Sequence, residues 1–310
     1  MKQKLGGVSM GWRTVVISQH AKVSYSGRKI VVQTKDATHQ VPIDDVQILL
    51  VATTQAVITA SAITELSESG AKVIFTGRDG NPSCETMTDY PGNRSLGSIK
   101  KQVEWPTELR GMVWTEIVKA KIAMQIQCTR QLGKEVTTLE KEVRAIEFDD
   151  LSNREAVVAR KYFQLIFDKT FVRTEFNPIN AALNYGYSIL LSAVNREIVC
   201  NGYLTQFGIH HHSGVSDFNL GSDLMEPFRP IFDYWIAHQR FNELTTDIKF
   251  GLIELLNIEL QYNGQTTILR NALTKHVQNC LNFMANPKNE FEVRVVMTNE
   301  VPNNAIIGHV

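Results

Sequence analysis

The stretch from Gly202 to Asp233, GYLTQFGIHHHSGVSDFNLGSDLMEPFRPIFD, gathers the residue types of metal-assisted phosphate chemistry. A histidine run, His210 to His212, stands between Gly208 and Gly214. Two acids follow, Asp223 and Glu226, and then Pro227, Arg229 and Pro230. A further acid, Glu155, lies upstream in REAVVARKYF. One carboxylate on a helix, one histidine on a loop and one carboxylate at a helix start can converge on a divalent cation with open positions. Such a cation stabilises the charge that builds on phosphate oxygens during phosphodiester chemistry.

Each of these residues also has a purely structural reading. Glu155 stands three after Ser152, the spacing of a capping box. Three consecutive histidines cannot all be aimed at one point by a regular element, so one or two could ligate a metal while the rest are solvated or bonded to backbone. Asp223 and Glu226 share a helix face if the helix begins near Ser222. They also suit an acidic first turn that offsets the helix dipole. Arg229 either pairs with Glu226 or offers its guanidinium to a phosphate.

The elements that must position these groups change character along the chain. Thr14–Ile17, Lys22–Tyr25, Ile30–Gln33, His39–Pro42 and Val46–Leu50 read as short strands parted by turn signals such as Ser26-Gly27. One helix, Ser61–Ser69, interrupts them, with Ser61 as its cap and Gly70 as its stop, before a strand at Lys72–Thr76. This is a small antiparallel β domain holding one helix. From Pro106 the period is helical: Leu109–Leu132, Val136–Ile146, Arg154–Phe171, Ile179–Val199 and Thr267–Met284 carry apolar residues at three- and four-residue spacing. Phe291–Thr298 returns to strand-like alternation, suited to an edge strand, an added strand in a partner or a frayed tail. The expected division is a flexible extension at 1–9, a β-rich domain at 10–95, a linker at 96–105, a helical catalytic domain at 106–287 and a tail at 288–310.

With 310 residues, 43% of them hydrophobic, the chain can bury a full core. Lys+Arg and Asp+Glu both number 32, so any nucleic-acid surface must come from segregated charge or from a partner. Cys84, Cys128, Cys200 and Cys280 form no CxxC pair, which excludes a zinc ribbon and fits free thiols in a reducing cytoplasm. No apolar run reaches the length of a membrane span, and the basic start lacks the apolar core of a signal peptide.

The runs GYLTQFGIHH, SDLMEPFRPIFD, REAVVARKYF and NPINAALNYGYSILLSAV, in that chain context, together resemble the CRISPR-associated integrase that inserts new spacers into a CRISPR array. The likeness extends to the β-rich start, with GWRTVVI and VITASAITELSESGAKVIFTGRDG. LMEPFRP and NAALNYGYSILL look most like the branch from systems with a single large RNA-guided nuclease, the type II systems.

The resemblance implies an α+β chain with an N-terminal, β-sandwich-like domain holding one helix, followed by a larger all-helical catalytic domain. It places metal ligands on Glu155, His211 and Glu226, a nearby acid on Asp223, and scaffolding on Asn180 and Tyr187. The implied cofactor is Mg2+ or Mn2+, and the implied reaction is attack of a DNA 3′-hydroxyl on a phosphodiester. Water in its place gives endonuclease activity. The implied assembly is a homodimer, two of which are bridged by a small dimeric adaptation partner. The RNA-guided effector nuclease and a further acquisition factor supply site choice. Arg154, Arg160, Lys161, Arg173, Arg229 and Arg240 are candidates for phosphate contacts. Two other classes compete: a hydrolase of small phosphate esters using the same ligands, and a non-catalytic scaffold whose acids merely cap helices.

Overall fold

The computed structural model describes residues 13–78, 82–86, 96–287 and 290–298. The chain divides into two compact units, residues 1–91 and 92–310. The expected extension at 1–9 and most of the expected tail lie outside the described residues.

The first unit holds β1 (Arg13–Ile17), β2 (Lys22–Ser26), β3 (Lys29–Gln33), β4 (Thr38–Pro42), β5 (Val46–Val51), β6 (Val57–Ile58), α1 (Ala60–Glu68), β7 (Lys72–Thr76) and β8 (Pro82–Glu85). They form two four-stranded sheets, ordered β1-β5-β7-β8 and β4-β3-β2-β6. Gly27 and Arg28, at φ 58° and 61°, close the β2–β3 hairpin with the two left-handed residues that a tight mirror-image turn requires. Leu49, Val51 and Val73 of one sheet meet Val23 and Ile30 of the other, with Ala62 and Leu66 of α1 completing the core.

The antiparallel expectation holds for β2–β3–β4 and for β7–β8. β1, β5 and β7 run parallel: the chain crosses from β1 to β5 through β2–β4 of the other sheet, and α1 lies in the crossover from β5 to β7. The strand β5, VQILLV, is buried at every position, as a central parallel strand requires. Thr59, and not Ser61, caps α1: its Oγ1 accepts the Ala62 N–H at 3.3 Å.

The second unit is built on α3 (Thr107–Gln131), a helix with buried residues on all sides. Around it stand α2 (Leu96–Val103), α4 (Thr137–Val143), α5 (Arg154–Ile166), α6 (Pro178–Cys200), α7 (Asn219–Met225), α8 (Arg229–His238), α9 (Thr246–Glu254) and α10 (Leu269–Ala285). Its strands are β9 (Glu259–Tyr262), β10 (Gln265–Ile268) and β11 (Val295–Met297). The unit is therefore not wholly helical: these three strands form a sheet ordered β10-β9-β11. Within 291–298, Val295–Met297 pairs antiparallel with β9, the edge-strand outcome. Gln127 of α3 fixes this strand, its amide bonding the Met297 carbonyl at 2.8 Å and the Met297 N–H at 3.1 Å.

Residues 96–105 are not a linker, since most of them form α2. Gln102 on that helix is buried, donates to the Leu204 carbonyl at 2.7 Å and accepts the Leu204 N–H at 2.9 Å. Leu96 and Val103 on this helix are exposed, so it is anchored by the amide of Gln102 and not by its apolar residues. α2 thus braces the loop that leads to the histidine run. No helix among the described residues is long and apolar enough to cross a membrane.

His276 on α10 is fully buried, 3.3 Å from the Tyr262 hydroxyl and edge-on to Phe228. Burial pushes its pKa down to about 4. The unfolded chain takes up this proton near the ordinary value of about 6.5, whereas the folded chain waits until about pH 4. The stability held by the neutral ring is full above the unfolded value and is lost as pH falls through that window. His276→Gln should therefore reduce the loss of unfolding free energy between pH 7 and pH 4.5 by about 2 kcal/mol, measured by urea titration at both pH values.

Candidate active site

Glu155 occupies the first turn of α5, yet its carboxylate does not cap that helix. Asp150 does the capping: its two oxygens accept the N–H groups of Arg154 at 2.8 Å and Glu155 at 3.0 Å. Asn153, in the left-handed conformation at φ 52°, accepts from Ala156. Ser152 instead accepts from the Arg154 Nε at 3.1 Å, so the capping box expected from the Ser152 spacing is not formed. The Glu155 side chain is thereby free to reach α3, where it contacts the Lys121 ammonium.

Glu226 meets the same ammonium from another direction. The helix before it starts at Asn219 and not near Ser222, which puts Asp223 inside α7. A single 3-10 turn, Glu226–Phe228, then breaks the path before α8, with Pro227 and Pro230 each at an early position of its turn or helix. This break re-aims the chain and leaves Glu226 buried against α3. Arg229 pairs with its other oxygen at 3.2 Å and lies over the Tyr187 ring at 4.7 Å. The Tyr187 hydroxyl bonds the buried carboxyl of Asp233. Tyr187 thus supports the site through Arg229, while Asn180 pins the preceding loop, donating to the Val172 and Glu175 carbonyls at 2.8 Å.

The histidine loop is organised by Asp223, which is fully buried. Its carboxylate accepts the backbone N–H groups of Ile209 at 2.6 Å, His210 at 3.0 Å and His211 at 3.1 Å. It also lies 2.5 Å from the His211 Nδ1. Three N–H donors and an imidazole occupy this acid, so it orients the loop and the His211 ring. His210 instead stacks flat on Trp114 of α3, with centroids 4.2 Å apart, and His212 faces Arg110 at 3.5 Å. Gly208 makes the tight fold possible: a Cβ there would lie 2.3 Å from the His211 carbonyl oxygen and 2.8 Å from Asp223 Oδ2.

The electrostatics tie these groups together. Burial works against the Glu226 carboxylate, but Arg229 and Lys121 outweigh it and hold its pKa below the ordinary value. Burial likewise works against the Lys121 ammonium, and Glu226 and Glu155 outweigh it, raising its pKa. The hydrogen bond to Asp223 raises the pKa of His211, with Glu226 adding to the pull. Burial lifts Asp233 to about 7, with the Tyr187 hydroxyl opposing.

Among the described residues, no three His, Cys, Asp or Glu side chains stand ready as a metal cage. The arrangement brings Glu155 and Glu226 onto one cation position, filled by Lys121, and ties His211 to Asp223. The donor set nonetheless fits a hard divalent ion, because two carboxylates already converge on one positive charge. Of the six cations expected to meet phosphates, four are engaged within the chain. Arg154 and Lys161 hold Glu142, Arg173 bonds Asn180 and Asn184, and Arg229 holds Glu226. Arg160 and Arg240 are exposed. Sequence reasoning missed Lys121 and Trp114, which sit among apolar neighbours on α3 and carry no motif. Removing the loop's central acceptor has a readable cost: Asp223→Ala should lose about 3 kcal/mol of unfolding free energy and Asp223→Asn less, by chemical denaturation. Gly208→Ala should destabilise by a similar amount through overlap.

The family model described as CRISPR associated protein Cas1 matches residues 14–272. The CRISPR-associated endonuclease Cas1 of Neisseria meningitidis serogroup C (strain 8013) is 32% identical over 266 residues, covering 83% of this chain and 86% of the relative. Among solved structures, a casposase bound to integration product superposes with a TM-score of 0.72 at 17% identity, covering 90% of this chain and 92% of the other. A Cas6-RT-Cas1–Cas2 complex aligns with a TM-score of 0.70 at 20% identity, covering 93% of this chain and 36% of the larger one. These two likenesses are of fold. The match to the family over most of the chain, with the Neisseria meningitidis relative beside it, establishes the conclusion: the chain belongs to the Cas1 family of CRISPR-associated endonucleases.

Proposed function

We propose that this chain is a divalent-metal-dependent DNA integrase of CRISPR spacer acquisition, with Glu155, His211 and Glu226 as its metal ligands. The observation that carries the reading is the convergence of Glu155 and Glu226, from two separate elements, on one buried cation position. A bound Mg2+ or Mn2+ would neutralise charge on the phosphate under attack by a DNA 3′-hydroxyl or by water. Asp223 holds the His211 Nδ1 and so leaves Nε2 as the ring nitrogen available for ligation, the arrangement that outer carboxylates impose on metal-bound histidines. Arg229, half-buried and fixed between Glu226 and Tyr187, keeps Glu226 ionised and aimed.

DNA, a second copy of this chain and a small dimeric partner of the Cas2 kind are the proposed associates. Support comes from the relatives: one similar fold is a casposase bound to integration product and another is a Cas1–Cas2 complex. Because the chain is net neutral and four of the six candidate cations are engaged internally, the partner must supply part of the DNA-binding charge. Binding is then salt-dependent, with a slope that steepens when the partner is present.

The test is joining of a short labelled duplex to a supercoiled plasmid carrying the repeat, with Mn2+ or Mg2+ and the partner protein. Glu226→Ala and Glu155→Ala should each lower joining by about a hundredfold or more while leaving the salt slope of DNA binding nearly unchanged. His211→Ala should be far more damaging than His210→Ala or His212→Ala. The reverse ranking would assign the ligand to another ring of the cluster, and joining that persists at wild-type rates in EDTA would overturn the reading.

A further inference from the structure

We infer that Lys121 holds the metal position in the metal-free protein, and that a divalent ion binds by displacing its ammonium from Glu155 and Glu226. This inference rests on the metal-dependent reading above and adds to it a residue that no ligand motif contains.

Lys121 lies in the middle of α3, flanked by the buried residues Ala120 and Ile122, with 7% of its side chain exposed. A lysine in such a place needs counter-charges, because an unpaired buried ammonium is severely penalised. Both counter-charges it has are acids proposed as metal ligands, Glu155 from α5 and Glu226 from the turn between α7 and α8. The dependence is mutual. Two carboxylates that close would repel without a cation between them, and removing one partner of a buried ion pair leaves an uncompensated charge. The ammonium therefore does without metal what a bound metal would do: it fixes the carboxylates in register.

An ammonium and a divalent ion cannot occupy that point together. Each reports the other's absence, so the intrinsic metal affinity of the carboxylates is reduced by the fraction of time Lys121 occupies them. A compact charge on a flexible four-carbon stem is suited to moving aside, unlike the planar guanidinium of Arg229, which is braced against Tyr187. Once displaced, the ammonium has lost both partners in a buried place. The anion that can take it is a phosphate oxygen of the incoming DNA, which makes metal and DNA binding mutually favourable.

Mn2+ binding measured by calorimetry, together with the Mn2+-induced rise in melting temperature, separates these statements for the full chain, Lys121→Met and Lys121→Gln. The variants should melt below the wild type in EDTA, gain more on adding Mn2+, and bind Mn2+ about tenfold more tightly. A wild type that shows no binding beside variants that do would support the same conclusion. Variants that bind Mn2+ no more tightly than a binding-competent wild type would overturn the displacement and leave the metal reading standing. If neither wild type nor variants bind, both fall. Should Lys121→Met not fold in EDTA, Lys121→Gln, whose amide still donates to one carboxylate, carries the comparison.

Discussion

The second unit is organised around a positive charge buried in the middle of its longest helix. Lys121 cannot be desolvated without partners, and Glu155 and Glu226 cannot be brought together without a cation between them. That single requirement fixes the relation of α3, α5 and the α7–α8 junction more tightly than apolar packing alone, because charge pairing is intolerant of small displacements where solvent is excluded. The remaining features serve it. Asp150 takes over the capping of α5 so that Glu155 is released, and the proline-marked break after Met225 turns Glu226 inward.

A second acid, Asp223, organises the histidine loop by a different principle. It is a hub for backbone donors, and it converts three adjacent histidines into three distinct environments: one stacked on Trp114, one held by the acid, one turned toward Arg110. Discrimination among chemically identical side chains is thus made by the main chain and by what each ring faces. The brace beneath the loop comes from α2, through the single amide of Gln102.

Much of this was legible in the residues. The β-rich start, the change to helical period near Pro106, and Gly202–Asp233 with Glu155 as the chemically dense positions follow from local patterning, which short-range physics controls. What local patterning could not carry is equally specific. The parallel pairing of β1, β5 and β7 depends on which strand a crossover returns to, and alternation within a strand does not encode that. The short helix α2 leaves its apolar Leu96 and Val103 exposed, and β9 and β10 lie inside what reads as an all-helical domain, with only the end of β10 overlapping a helical segment. Lys121 is the instructive case. It is one charged residue in an apolar helix, and its meaning lies entirely in acids that are distant in sequence, so nothing within its own window distinguishes it from a solvated lysine.

The strand Val295–Met297 bears on the order in which the molecule comes into being. It closes the sheet against β9 and is fastened to α3 by Gln127, a partner 170 residues earlier. The first unit has its whole core within its own sequence and can mature while the remainder is still being made. The helix that carries Lys121, by contrast, receives its last fastening only when the chain has been synthesised through Met297. Loop closure over that span is entropically slow. Every residue of the pair around Lys121 therefore precedes the strand that fastens its helix, and a chain cut short before Val295 would leave α3 without one of its long-range anchors.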